Sequence, residues 1–353
     1  MFLNPQPDPP ANPYSVLVQG ADGNDNVSLA IGQDTIVLGA LRTAVDLGAG
    51  DDNFLLDAHS GLVSPGPCRV AVIGGRGNDN VTMRFGPLSG DQTFAVDLGL
   101  GDDTFDAHLT AGTVPLAGDP VFSVQGGRGT DDLSFAVTGM PDDPTPAPLL
   151  SPLQISLDGG PDNDAILVNY SNVFVEAPQL VNESGGPGND ALICSVVNPN
   201  PSTAGILNIA STFALNGGLD DDFIFVNISD RFGQQALNNV FVTGGPGTDI
   251  ISLSYAGLLN GTLRFRLLGK DGNDQIQAAC TIDFVSTGSI DGLVFGGGDN
   301  DNLTFDVFFV LPDGSITGNA YGDLVSFSAV LNGGTGLDTC QRTQNVFAEF
   351  CEA

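Results

Sequence analysis

The apolar residues of this chain fall into short alternating runs. Val81, Met83 and Phe85 are separated by Thr82 and Arg84. Leu133/Phe135/Val137, Ile224/Val226/Ile228 and Leu303/Phe305/Val307 repeat the arrangement. A second kind of run precedes each of these, as in Phe94/Val96, Phe122/Val124, Ile155/Leu157, Phe213/Leu215 and Phe265/Leu267. A period of two over so few residues predicts half-buried β-strands, and no segment carries the 3.6-residue period of a helix of three turns.

Between the two runs of every pair lies a Gly/Asp-rich corner. The clearest copies are GGRGNDNVT (74–82), GGRGTDDLS (126–134), GGPGNDALI (185–193) and GGPGTDIIS (244–252). Each copy has one Asp in the same place: Asp25, Asp52, Asp79, Asp103, Asp131, Asp164, Asp190, Asp222, Asp249, Asp274, Asp301 and Asp338. Successive anchors are 27, 27, 24, 28, 33, 26, 32, 27, 25, 27 and 37 residues apart, with insertions after Asp131, Asp190 and Asp301. The apolar residues keep fixed offsets from these anchors: two, four and six after, nine and seven before.

One strand–corner–strand unit cannot bury its own apolar face, but stacked units share a core. The expected fold is therefore all-β, a right-handed parallel β-solenoid (β-roll or β-helix) of about twelve coils. With ~4.8 Å between coils, the rod is roughly 55–60 Å long.

The corner also has a chemistry. Paired Gly residues let the backbone turn sharply and aim carbonyl oxygens at one point, and the anchor adds a carboxylate. Calcium takes six to eight such oxygens at ~2.3–2.6 Å. One corner supplies part of that set and the next supplies the rest, so a ladder of calcium ions is expected along one edge, up to about eleven between coils. Asp162, Asp220 and Asp299 replace the later Gly, a place where Asp tolerates left-handed geometry. Asp22 and Asp271 lie one residue earlier. All five are further candidate metal ligands.

Composition agrees. The 353 residues include 48 Gly and 42 Asp plus Glu against 10 Lys plus Arg, a formal net charge of −32. Nucleic acid and anionic membrane surfaces would be repelled. No run of ~20 apolar residues exists to insert in a membrane. Two His and few cations leave little catalytic material, so no enzyme is expected. The start, MFLNPQPDPPANP, lacks the basic and apolar parts of a signal peptide. A removed leader, another export route and an intracellular location all stay open.

The corners resemble the hemolysin-type, or repeats-in-toxin, calcium-binding repeat, GGxGxDxUx with U apolar. Gly74, Gly75, Gly77, Asp79 and Val81 match it in full, as do the copies ending in Leu133, Leu192 and Ile251. The resemblance implies a parallel β-roll with calcium in its turns, in secreted bacterial proteins. In that family the nonapeptides run head to tail. Here one motif falls in each unit of about 27 residues, which suggests a larger coil with metal on one edge only.

Cys340 and Cys351 are expected to pair and pin the last strand, 345–350, over the final coil, which would suit an oxidising compartment. Cys194 and Cys280 read as buried small hydrophobes, and Cys68 as a lone residue in a Pro/Gly loop. The divisions are a Pro-rich arm (1–15), the solenoid (16–339) and a disulfide-pinned cap (340–353). The expected function is a secreted structural or adhesive protein of a bacterial cell surface or biofilm matrix, with calcium and further copies of itself, stacked end to end into filaments, as partners. The alternative is a β-helix carbohydrate-active enzyme or the calcium-binding module of a secreted enzyme.

Overall fold

The computed structural model describes residues 14–31, 40–59, 62–63, 67–112, 118–139, 147–197, 210–229, 232, 236–311, 313–317, 326–343, 346–349 and 351. The chain is a parallel β-solenoid. One thirteen-stranded sheet takes the strand before each corner, from Tyr14–Gln19, Leu41–Ala49 and Cys68–Arg76 onward to Ser326–Thr335 and Phe347–Glu349. A second thirteen-stranded sheet takes the strand after each corner, from Asn26–Ala30, Asn53–Ala58 and Asn80–Phe85 onward to Asn302–Val310 and Thr339–Arg342, and adds Ile316–Thr317, which pairs antiparallel with Asn302–Val310. We call these the leading and trailing sheets. Among the described residues no helix is long and apolar enough to cross a membrane.

Paired strand residues meet their repeat equivalents. Val81 faces Phe105, which faces Leu133, then Ile166, Leu192 and Ile224. This register holds although the units differ in length. The surplus residues fall in sequence between a trailing strand and the next leading strand, and among the described residues there Ala147–Leu149 and Val173–Val175 form a small parallel ladder of their own. Slipping by one residue would turn every buried side chain outward, so the alternating pattern enforces the register.

The inward faces of both sheets make one continuous apolar cluster. Strands alternate buried and exposed positions along their length, as in Leu41–Ala49 and Gln92–Leu100. Stacked equivalents bring like side chains together. The ring of Phe94 lies flat on that of Phe122 at 4.6 Å, with Phe85 and Phe135 packed against this pair at 4.7 Å. Each such side chain, fully buried, contributes roughly 1.5–3 kcal/mol.

Several cysteine and boundary expectations meet the structure here. Cys194 and Cys280 are buried and unbonded. Cys68 differs from expectation: it opens strand Cys68–Arg76 and is buried between Leu41 and Gln92. The strand reaches further back from the corner than its alternating apolar pair indicated. Cys340 and Cys351 form a disulfide, with Cα atoms 5.7 Å apart. Between them, Phe347–Glu349 pairs with Val330–Asn332 of the last long leading strand. The first strand begins at Tyr14, inside the segment assigned to the arm. Residues 1–13 of that arm lie outside the described residues.

One core position breaks the apolar rule. Glu183 faces inward and is buried, and its carboxyl has no partner beyond a weak contact with the Cys194 thiol. Burial holds its carboxyl well above the ordinary range, beside the Cys194 thiol. A group whose folded pKa is raised costs stability as pH rises past its unfolded value, near ~4.3. Replacing Glu183 with Met is therefore expected to stabilise the protein by about 1–3 kcal/mol near neutral pH, with a smaller gain at acid pH. Denaturant midpoints of both proteins at the two pH values test this. A variant less stable than the parent at neutral pH would refute it.

Candidate metal-binding corners

Eleven of the twelve corners are built by two left-handed residues. The positions four and two before the anchor have positive φ, as at Gly75 (114°) and Gly77 (110°); in the first corner only Gly23, two before Asp25, does. Non-Gly residues hold this geometry at Asp162, Asp220 and Asp299 (φ 94°, 76° and 71°) and at Lys270 (103°). The Gly requirement is also steric. A Cβ on Gly75 would stand 2.0 Å from the carbonyl oxygen of Gly48 in the preceding coil.

The twelve anchors line up on one edge, where the leading strand passes into the trailing strand. They are joined head to tail. The backbone N–H of every anchor donates to Oδ1 of the next, from Asp25 to Asp52 through to Asp301 to Asp338, at 2.6–3.0 Å. These eleven rungs consume one carboxylate oxygen each. The other, Oδ2, is buried and without a hydrogen-bond partner in Asp52, Asp79, Asp103, Asp131, Asp164, Asp190, Asp222, Asp249, Asp274, Asp301 and Asp338.

The Oδ2 atoms do not point into apolar packing alone. The residue five before the anchor faces inward and is Gly in ten of the twelve corners. A Cβ on Gly126 would lie 2.4 Å from Asp131 Oδ2 and 2.4 Å from the carbonyl oxygen of Gly159 in the next coil. At Gly269 the equivalent atoms, Asp274 Oδ2 and the Gly296 oxygen, lie at 2.1 and 2.5 Å. Gly185 and Gly296 repeat this. Oxygens of two successive coils thus converge on space that only a residue without a side chain leaves open. Unpartnered carboxylate oxygen beside carbonyl oxygen is a hard-oxygen donor set of the kind calcium takes. The residues present fit that ion.

The remaining candidates stand elsewhere. Asp162, Asp220, Asp299, Asp22 and Asp271 are all exposed on the outer rim of the corner, while the anchors from Asp52 to Asp338 are buried inside it. Asp162 Oδ2 accepts from the Gly129 N–H at 3.2 Å. Among the described residues no three His, Cys, Asp or Glu side chains gather in one group. An ion here would rely on one or two carboxylates, with carbonyls and water making up the rest.

A second ladder, not anticipated from the sequence, runs beside the first. The residue before the anchor is Asn or Asp in nine corners, and its Oδ1 accepts the N–H of its equivalent in the next coil at 2.7–3.1 Å. Its rungs point opposite to those of the anchors. Thr130 and Thr248, which lack that acceptor, are where it is interrupted. The recurring Asn/Asp at this offset was the signal.

Burying a file of carboxylates has an electrostatic cost. Burial, reinforced by neighbouring carboxylates and opposed by the hydrogen bond from the preceding anchor, pushes Asp79, Asp103, Asp131, Asp249, Asp274 and Asp301 up to about 6. Asp164 and Asp222 rise to about 7, and Asp190 rises for the same reasons. Comparison with protein-family models, curated proteins and solved structures finds no match for this chain.

Two outcomes follow from the corner. Folded pKa values above the unfolded one mean that the native state binds more protons between about pH 4 and pH 7. Metal-free protein is therefore expected to lose stability as pH rises through that window. Denaturation in chelator at about pH 5 and about pH 8 measures it, and an equal or higher midpoint at pH 8 would contradict it. Separately, Lys270→Gly relieves a side chain held at positive φ and is expected to raise stability by about 1 kcal/mol. A lower thermal midpoint in this variant would show that the Lys270 side chain contributes more than its backbone costs.

Proposed function

We propose that the protein is a calcium-binding structural rod of the repeats-in-toxin kind, working outside the cell. The observation that carries this is the row of eleven buried anchor oxygens without partners, each at the inner side of a corner. A bound divalent cation supplies the counter-charge that this row lacks. The anchors would hold the ions through Oδ2, with carbonyl oxygens from the next coil, and the exposed Asp162, Asp220 and Asp299 would add to the local negative field.

The setting follows from affinity. Sites with one or two carboxylates are weak, and weak sites fill at the millimolar calcium found outside cells. The Cys340–Cys351 bridge suits an oxidising compartment. A scaffold or adhesive role at a bacterial surface or in its matrix, with no catalysis, agrees with the scarcity of cations. Arg264 and Arg266, neighbours on one outer face, are both bound to Asp291 at 2.8 and 3.0 Å. A lyase acting on acidic sugars would need such groups free.

Filament growth is part of the same reading. Among the described residues, Tyr14–Gln19 and Asn26–Ala30 are the terminal strands of their sheets at the first end, and a terminal strand edge is a template for pairing with another chain.

The test is a calcium titration of chelator-treated protein, followed by circular dichroism and light scattering together. A cooperative gain in β signal is expected. Scattering that rises with it supports assembly, and flat scattering leaves a monomeric rod. A β-rich spectrum that neither chelator nor calcium alters would overturn the metal reading.

A further inference from the structure

The corners are not equivalent at the position five before the anchor. Gly20, Gly74, Gly126, Gly159, Gly185, Gly217, Gly244, Gly269, Gly296 and Gly333 leave it without a side chain, but Leu47 and Leu98 fill it. Both leucines are fully buried and continue the inward-facing alternation of their strands, after Thr43 and Val45 in one and Phe94 and Val96 in the other. At nine of the Gly corners, from Gly20 to Gly296, an added Cβ would come within 2.1–2.8 Å of the anchor Oδ2. Real carbon atoms do not approach so closely. A leucine there therefore excludes the convergence of oxygens seen at Gly126 and Gly269.

We propose that Leu47 and Leu98 act as apolar plugs that close the corners of Asp52 and Asp103 to metal, so that the calcium row is broken in two places. This rests on the calcium reading given above. Each opening lies between an anchor and the next coil, so the closed intervals are Asp52 to Asp79 and Asp103 to Asp131. Nine of the eleven intervals stay open. Two are isolated, Asp25 to Asp52 and Asp79 to Asp103. The other seven form one unbroken run from Asp131 to Asp338.

The two leucines differ from the rest of the core in what they replace. A plugged corner gains the transfer free energy of a buried leucine and leaves no room for an ion, although Asp52 Oδ2 and Asp103 Oδ2 stay buried without a hydrogen-bond partner. An open corner has its oxygens exposed to one another and needs a cation between them. The first third of the rod is thus built to hold its shape with fewer ions than the remainder.

Native mass spectrometry of the full chain in calcium counts the ions directly. Nine are expected in the parent, ten in Leu47→Gly, ten in Leu98→Gly and eleven in the double variant. Leu56→Gly, which opens a cavity on the trailing strand away from the corner, controls for cavities as such and is expected to keep nine. The parent count alone carries information if a variant fails to fold. Eleven ions in the parent, or no increment in a folded Leu47→Gly or Leu98→Gly, overturns the plug. A parent that binds no calcium overturns the calcium reading and the plug with it, whereas a parent that binds calcium with no increment overturns the plug alone.

Discussion

The bond from one anchor N–H to the next anchor Oδ1 is the constraint on which the rest of the structure depends. It repeats eleven times along one edge. It fixes the rise of every coil at the corner and places a carboxylate inside the fold. A carboxylate taken out of water must be hydrogen-bonded, paired or neutralised. Half of each group is satisfied by the ladder and half is not. The two left-handed backbone positions of every corner after the first, and the bare inward position at most of them, are the local geometry that makes room for the second half.

Much of this was legible in the residues. The offsets of apolar residues from each Asp gave the two strands, their inward faces and their stacking, because strand period and repeat period are both visible in one chain. The positive φ at Asp162, Asp220 and Asp299 followed from what replaces Gly in a tight turn. The Asn/Asp ladder was equally written in the motif, but beside an anchor it looked like composition. Cys68 was misplaced because strand length, unlike strand register, is not marked by alternation once a polar residue such as Gln92 takes an inward position. Glu183 could not be found by pattern. Its offset places it inward, yet its type suggests the surface, and only the fold decides between them.

Plugged and open corners show how one backbone can be held in two ways. Leucine and a cation are alternative fillings of the same small volume beside an anchor carboxylate that is present in both cases, one driven by burial of apolar area and the other by charge compensation. The choice costs the chain no change in register, since the residues on either side of Leu47 and Leu98 pair with their equivalents: Asp46 with Ile73 and Gly48 with Gly75, Asp97 with Gln125 and Gly99 with Gly127. Metal dependence can therefore vary along the rod while its shape does not.

The insertions fall in sequence between a trailing strand and the next leading strand, and the two side-chain ladders point in opposite senses. Except where Thr130 and Thr248 interrupt the second ladder, an inner coil both gives and receives a bond on either side. Excising one whole unit between equivalent residues would bring the same donors and acceptors face to face again, and adding one would do the same. Length is consequently a free variable of this architecture, set by copy number in steps of ~4.8 Å. A gene that duplicates or loses one unit lengthens or shortens a molecular ruler without having to reinvent its ends.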